Sequence, residues 1–280
     1  MAANDRLAAL HDRLTAQVED LVDSDRWKQF LAVAARFHRY SANNVLLLLS
    51  QMPSATRVAG YRRWQSLGRQ VRRGEAGLAI LAPCVSRARP ADDTEADERP
   101  ELARVLRGFR VAHVWDISQT DGEPLPEVRP ALLAGQAPEG LWESLAAQVH
   151  QAGFELRRGA CGGANGRTDY AARLVTVRDD VDDAQAAKTL AHELAHVWLH
   201  DPHDGHHHRG VAEVEAESVA YVVCSAAGLA SDDYSLAYVA GWAGGDPEVV
   251  RRSAERVVGA ARRALDAIGI ADPLPSPVSA

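Results

Sequence analysis

The stretch of sequence that decides the fold is residues 189–198, Thr-Leu-Ala-His-Glu-Leu-Ala-His-Val-Trp. It contains the pattern H-E-x-x-H inside an apolar-patterned segment that is typical of a helix. Residues four apart on a helix share a face, so His192 and His196 can offer two imidazole nitrogens to one metal ion. Glu193 lies beside them, where a carboxylate can take a proton from water. The stretch therefore predicts a helix with a hydrolytic metal site, and Zn²⁺ is the expected cofactor.

A zinc site of this kind needs a third protein ligand. The next predicted helix, roughly residues 211–228, carries Glu213, Glu215 and Glu217. Glu213 and Glu217 are one helical turn apart, so one can bind the metal while the other orients a ligand histidine. We favour Glu213 as the ligand and Glu217 as the orienting carboxylate. Glu215 points to another side of the helix, where it is expected to be a solvated residue of the first turn.

A histidine-rich segment between these helices is an alternative source of a ligand. Residues 200–208 read His-Asp-Pro-His-Asp-Gly-His-His-His. They do not complete the longer motif H-E-x-x-H-x-x-G-x-x-H, because Leu199 and Pro202 stand where that motif has glycine and histidine. Such segments are more often solvated than catalytic. A tyrosine commonly assists hydrolysis as a second electrophile, and the sequence leaves three alternatives open, Tyr221, Tyr234 and Tyr238.

A basic segment in the first quarter of the chain predicts a second function. Between Arg26 and Arg73 there are ten lysine and arginine residues and no acidic residue. Arginine pairs with phosphates, and tyrosine and tryptophan offer ring faces to unpaired bases. Single-stranded DNA is therefore the expected partner, although a solvated basic surface over core aromatics is the simpler alternative. The candidate DNA-binding residues are Arg57, Tyr61, Arg62, Arg63, Trp64, Arg69, Arg72 and Arg73.

The bulk properties are those of an ordinary globular chain. Its 280 residues are 46% hydrophobic and 25% charged, with a net charge of -7, so the molecule as a whole is not a nucleic-acid binder by composition. Three separated cysteines suit a reducing compartment. The longest apolar run, residues 45–49, is too short to cross a bilayer. We expect a cytoplasmic protein without a membrane partner.

The pattern along the chain predicts an α+β fold in two domains. Residues 122–140 are rich in proline and glycine and form the best boundary, so we expect one domain over 1–130 and another over 137–272. Expected helices cover 5–22, 26–39, 44–51, 139–152, the segment from Asp182 or Asp183 through the histidine motif, 211–228, and a last one that begins at 246–247. Expected strands cover 78–84, 109–117, 154–158 and 173–178.

Several stretches resemble a known family. Residues 40–49, 61–80 and 114–122 are similar to the N-terminal domain of ArdC-type antirestriction proteins. Residues 189–196, 213–217 and 238–242 resemble the zincin-like metallopeptidase domain of the same proteins and of the ImmA/IrrE group. The resemblance implies a first domain that binds single-stranded DNA and a second with a gluzincin-type peptidase fold. It also supports Glu213 as third ligand, although Glu217 stands where the ImmA/IrrE pattern usually has Asn or Asp.

Together these observations predict a single-stranded DNA-binding protein fused to a zinc-dependent metallopeptidase with an unknown protein substrate. Three alternatives stay open. One is a regulatory peptidase that cleaves a repressor, and another is a DNA-binding module whose zinc site is not catalytic. The third is a peptidase whose basic face binds an acidic protein partner. Glu193 favours an enzyme, because a purely structural zinc site has no need of a general base.

Overall fold

The computed structural model describes residues 3–87, 104–124, 137–200, 209–229 and 246–270. These residues form helices and three small sheets, so the predicted α+β class is confirmed. The centre of the expected domain boundary, the histidine-rich segment beyond His200, and both Tyr234 and Tyr238 lie outside the described residues.

The N-terminal half begins with helices whose first residues carry clear capping signals. Asp23 accepts hydrogen bonds from the backbone N–H groups of Asp25 and Arg26, each at 3.0 Å, and so begins the second helix. Ser41 caps the third helix in the same way. The four helices are α1 (Ala3–Asp20), α2 (Ser24–Arg36), α3 (Ala42–Gln51) and α4 (Tyr61–Ser66).

Two sheets accompany these helices. The strands are β1 (Val58–Ala59), β2 (Arg69–Val71), β3 (Leu78–Arg87), β4 (Arg104–Asp116) and β5 (Thr120–Gly122). One sheet is antiparallel with the order β1-β4-β3, and β2 pairs with β5 in the other. The amide of Asn44 on α3 bonds the backbone of Leu81 in both directions, at 2.8 and 2.9 Å, and so fixes that helix against β3.

The described part of the C-terminal half contains a third sheet and four helices. Its elements are α5 (Leu141–Gln151), β6 (Glu155–Arg158), β7 (Gly166–Asp169), β8 (Leu174–Val177), α6 (Asp183–Leu199), α7 (Arg209–Ala226) and α8 (Pro247–Ile268). The strand order is β6-β8-β7, with β6 parallel and β7 antiparallel to the central strand. The edge strand β7 was not predicted from the sequence, which has too few apolar residues there to show the alternation of a strand.

One continuous hydrophobic core joins the described parts of both halves. Helices α2, α6 and α8 all pack against α7, which is therefore the central element of the interior. The division into domains at about residue 130 stays a prediction, and the helices on the two sides of it share buried surface. Among the described helices, none combines the length and the hydropathy required of a membrane span.

Candidate metal centre

Helix α6 presents the two motif histidines towards the same point. Asp182 caps the helix by accepting a 2.7 Å hydrogen bond from the backbone N–H of Gln185, which sets where the helix begins. Ten residues later His192 and His196 lie one turn apart. Their Nε2 atoms are 3.0 Å from each other. Two nitrogens with lone pairs have no reason to converge this closely unless a proton or a cation lies between them.

Helix α7 brings the third group. The Oε2 atom of Glu213 is 3.5 Å from Nε2 of His192 and 3.8 Å from Nε2 of His196. These three residues form a group whose potential ligand atoms all lie within 4.8 Å of one another. The structure therefore brings together the set His192, His196 and Glu213. Two imidazoles and a carboxylate form a donor set that suits Zn²⁺ and leaves a position open for a further ligand.

The electrostatics of this cluster favour a cation. Burial alone would lower the pKa of His192, but hydrogen bonds with Glu213 and Glu217 raise it to about 9. Hydrogen bonds from both histidines in turn lower the pKa of Glu213 far below its ordinary value. The cluster thus carries carboxylate charge that holds a proton on an imidazole, and a divalent ion can replace that proton.

Glu217 lies on the far side of His192 from the cluster. Its Oε2 atom is 3.1 Å from Nδ1 of His192, and its Oε1 atom is 3.0 Å from Nζ of Lys188. Although burial would raise the pKa of Glu217, the hydrogen bonds with His192 and Lys188 lower it overall. A carboxylate in this position fixes the ring orientation and the tautomer of the histidine, which is the arrangement expected for Glu217.

The general-base candidate Glu193 is held by the edge strand. Its Oε2 atom accepts a 2.7 Å hydrogen bond from the hydroxyl of Thr168 on β7. Gly166, at the start of the same strand, approaches so closely that a Cβ there would lie 2.6 Å from Oε1 of Glu193. The strand therefore orients the carboxylate through one contact and limits its movement through the other.

An open cavity of about 810 Å³ contains all of these groups. Strand β7 forms one wall, and helices α6 and α7 form the other. Tyr170 lines the cavity and donates a 2.8 Å hydrogen bond to the backbone oxygen of His196. Of the three tyrosines suggested by the sequence, Tyr221 does not line the cavity and the other two lie outside the described residues.

The expected environment of Glu215 was wrong. It is 2% exposed rather than solvated, and it accepts hydrogen bonds from His200, Ser253 and Arg256. Burial would raise its pKa, but the hydrogen bonds from His200 and Ser253 lower the pKa overall. The expectation of a solvated side chain failed because α8 covers this side of α7, and no local pattern announces that packing.

The candidate DNA-binding arginines lie within residues 57–73, around α4 and β2, and they divide into two groups. Arg69 bonds the hydroxyl and carbonyl of Thr120 at 2.8 and 3.0 Å, and Arg72 pairs with Glu75 at 2.7 Å and with Asp121 at 3.6 Å. These two residues join β2 to β5 and to the segment that contains Glu75. The other candidates are Arg62, Arg63 and Arg73, which are exposed as Arg72 is, and Arg57, which is half-buried.

The two aromatic candidates differ in their exposure to solvent. Tyr61 is 41% exposed and contacts Trp115 edge to face, with ring centroids 6.0 Å apart. Both rings line a shallow groove with Arg72 and Arg73. Trp64 is fully buried, and its Nε1 donates a 2.9 Å hydrogen bond to the backbone oxygen of Trp115. The expected stacking role of Trp64 is therefore wrong in this fold, because neither face of its ring is open.

The fold and the cluster define the class of the molecule, an α+β protein with a candidate set of metal ligands on two packed helices. Comparison with known families is more specific. Residues 4–114 match the model of the N-terminal domain of the anti-restriction factor ArdC. This part of the chain is similar to that domain, and the match supports an ArdC-type protein.

Solved structures extend the likeness of the fold to most of the chain. A metal-free crystal structure of the antirestriction ArdC protein from the R388 plasmid has a TM-score of 0.52 and 20% identity, and covers 82% of this chain and 85% of its own. The Mn(II)-bound structure of the same protein has a TM-score of 0.51 and 21% identity, with the same coverage. That protein binds Mn(II), and its name describes antirestriction.

One curated relative is an uncharacterized protein of Bacillus anthracis. It is 24% identical over 260 residues, which cover 80% of this chain and 44% of the relative. The chain thus spans less than half the length of that protein.

Proposed function

We propose that the chain is a zinc-dependent metallopeptidase joined to a region that binds single-stranded DNA, and that it acts in antirestriction. The observation that carries the first part is the convergence of His192, His196 and Glu213 within 4.8 Å, with Glu193 in the same cavity. Binding of Mn(II) by the ArdC protein of the R388 plasmid supports a divalent metal in this fold. Zn²⁺ is our choice because imidazole nitrogens supply two of the three ligands.

The donor set fits a divalent metal, and the surrounding residues fit hydrolysis. A metal held by His192, His196 and Glu213 supplies Lewis acidity and lowers the pKa of water. Glu193 is the general base, which takes a proton from water and delivers it to the leaving amine. Thr168 keeps the Glu193 carboxylate facing the cavity. Glu217 holds the ring of His192 in one orientation, so the ligand nitrogen does not have to be ordered when the metal arrives.

The metal proposal is tested by element analysis of the purified protein and a protease assay with casein, an unfolded protein. We expect about one zinc per chain. His192→Ala should remove the metal, while Glu193→Gln should keep it and abolish hydrolysis. The exposed Glu255→Gln serves as a matched control and should change neither. Full zinc in His192→Ala would refute the ligand assignment, and undiminished hydrolysis by Glu193→Gln would refute the role of the base.

The third ligand is tested separately. Glu213→Ala should weaken metal binding strongly, because its carboxylate is the acidic group that approaches both Nε2 atoms among the described residues. Glu217→Ala should weaken binding less, because it acts through His192. Metal affinity by competition with a chromophoric chelator measures both. A larger loss from Glu217→Ala than from Glu213→Ala would exchange the two roles.

The DNA-binding part of the proposal concerns the exposed face of α4 and β2. Tyr61 offers an open ring beside a groove, and Arg62, Arg63 and Arg73 have exposed guanidinium groups. Aromatic rings with neighbouring arginines suit unpaired bases and their phosphates. The match of residues 4–114 to the N-terminal domain of an anti-restriction factor supports DNA as the partner. DNA as partner also supports the expected cytoplasmic location.

Binding of a labelled oligonucleotide to the full chain at several salt concentrations tests this part. Tyr61→Ala should cost about 1–3 kcal/mol for the loss of one stacking platform and leave the salt dependence unchanged. Arg62→Ala and Arg63→Ala should flatten the salt dependence, because fewer phosphates are neutralised. Arg157→Ala, an exposed arginine of the other half, is the matched control. Preference for duplex DNA, or no binding at low salt, would refute the proposal and leave the metal centre untouched.

A further inference from the structure

A series of hydrogen bonds leads from His196 away from the candidate metal ligands. The Nδ1 atom of His196 is 2.9 Å from Nδ1 of His200, the residue that directly follows the end of α6. The Nε2 atom of His200 is 3.0 Å from Oε2 of Glu215. His196 therefore reaches a carboxylate through a second imidazole, whereas His192 contacts Glu217 directly.

The direction of the hydrogen bonds follows from the ligand role of His196. A histidine that binds a metal through Nε2 uses the lone pair of that atom, so the neutral ring carries its proton on Nδ1. His196 must then donate to His200, and Nδ1 of His200 must accept. The proton of His200 is consequently on Nε2, where it is donated to the carboxylate of Glu215. Every donor in this series of hydrogen bonds has an acceptor when each ring adopts the tautomer described.

Glu215 is the last residue in this series of hydrogen bonds, and two residues of α8 hold its carboxylate. Its Oε1 atom accepts a 2.6 Å hydrogen bond from the hydroxyl of Ser253, and its Oε2 atom accepts a 2.9 Å bond from Nε of Arg256. Arg256 also donates to the backbone oxygen of Leu199, at the end of α6. Both Glu215 and Ser253 are buried, so helix α8 fixes the carboxylate from the side opposite the metal cluster.

We propose that His200 and Glu215 are positioning residues that hold His196 in the orientation and tautomer required for metal binding. The inference rests on the proposed metal centre and adds a second support to it. Glu217 stabilises one ligand histidine from α7 directly, and Glu215 stabilises the other from the same helix through His200. In this arrangement His200 is not a ligand, because the ring nitrogen that faces His196 is already used as an acceptor.

Metal titration of the full chain with Mn²⁺, together with Co²⁺ absorption spectra, tests the proposal. Removing a partner behind a ligand histidine typically weakens metal affinity by about 10–100-fold. We expect a loss of that size for Glu215→Gln and for His200→Ala. His200→Asn should recover part of the affinity, because its side-chain oxygen can accept from Nδ1 of His196. The Co²⁺ spectra of these variants should keep the same set of ligands as the wild type.

Three comparisons separate the outcomes. Exposed residues provide the controls, Glu255→Gln and His113→Asn, which should bind metal as the wild type does. Thermal unfolding of each variant without metal shows whether it is folded, and Ser253→Ala is a milder variant that loosens Glu215 if the others unfold.

Metal-free stability that falls while affinity is unchanged would overturn the positioning role. Complete loss of metal in His200→Ala with no effect of Glu215→Gln would make His200 a ligand instead. A wild-type protein that binds no metal would refute the proposed metal centre itself.

Discussion

The indole Nε1 of Trp27 donates a 3.0 Å hydrogen bond to the hydroxyl of Ser218 in the interior of the protein. Trp27 lies on α2 and Ser218 on α7, and both side chains are fully buried. Ser218 directly follows Glu217, the carboxylate that holds His192. The contact thus ties a helix of the N-terminal half to the helix that carries Glu213 and Glu217, which face the proposed metal centre.

This contact predicts that the two halves unfold together. Trp27→Ala should reduce the free energy of unfolding by about 3–5 kcal/mol, because it creates a large cavity between α2 and α7. Urea unfolding should show one transition by far-UV circular dichroism and by loss of Mn²⁺ binding. Trp142→Ala, at a half-buried position, is the control and should cost less. Two separate transitions in the wild type would contradict the prediction.

Gly166 should tolerate no side chain. Gly166→Ala would place a methyl group 2.6 Å from the carboxylate of Glu193 and force that side chain to move. A displacement of about 1 Å at a catalytic group can cost on the order of 10²-fold in rate. We expect a loss of that order in casein hydrolysis with metal still bound. Gly159→Ala is the matched control, since a Cβ at Gly159 meets no atom within 4 Å. Equal activity of the two variants would mean that Glu193 is free to relax.

Metal binding should strengthen as the pH rises. In the metal-free protein the pKa of His192 is raised to about 9, so the ring is protonated at neutral pH. A metal needs the neutral ring and must displace this proton. The apparent affinity for Mn²⁺ should therefore rise about tenfold per pH unit below about pH 9 and level off above it. Calorimetry in two buffers of different ionisation enthalpy should detect the released proton. An affinity that is flat between pH 6 and 8 would contradict this assignment.

The cysteines should react unequally. Burial raises the pKa of Cys224 to about 12, so its thiol stays protonated and shielded at pH 8. Cys84 and Cys161 are half-buried free thiols. Ellman's reagent should modify two thiols in the native protein and the third only after unfolding. In Cys224→Ala the native and unfolded counts should both be two. Rapid modification of all three thiols in the native state would show that the interior around α7 opens readily.

The features that the sequence predicted well are those with local causes. The position of α6 follows from Asp182 as a cap and from the apolar spacing around the histidine motif. Helix α8 follows from Asp246 and Pro247 at its start. The proximity of His192, His196 and Glu213 follows from helical periodicity once the two helices pack together.

The features that were missed depend on contacts between distant parts of the chain. Thr168 and Gly166 lie on a short strand whose role appears only when it pairs with β8 beside α6. Glu215 looked solvated because its partners, Ser253 and Arg256, are about forty residues away. Trp64 looked like a stacking platform because its neighbours in sequence are arginines, while the ring itself is buried under Trp115. Tertiary packing determines the environment of each of these residues, and it cannot be predicted from the local sequence.

Helix α7 sets the conditions for moving this centre to another protein. Its glutamates at alternate positions serve two different neighbours: Glu213 and Glu217 face α6, and Glu215 faces α8. Each residue advances a helix by about 100°. One residue inserted between Glu213 and Glu215 would therefore turn one of these side chains away from the helix that it contacts. A designer who grafted only the two histidines and Glu213 would leave both rings unsupported. A graft of the proposed site therefore needs α6, α7 and the first half of α8, together with β7, which contacts the general-base candidate Glu193.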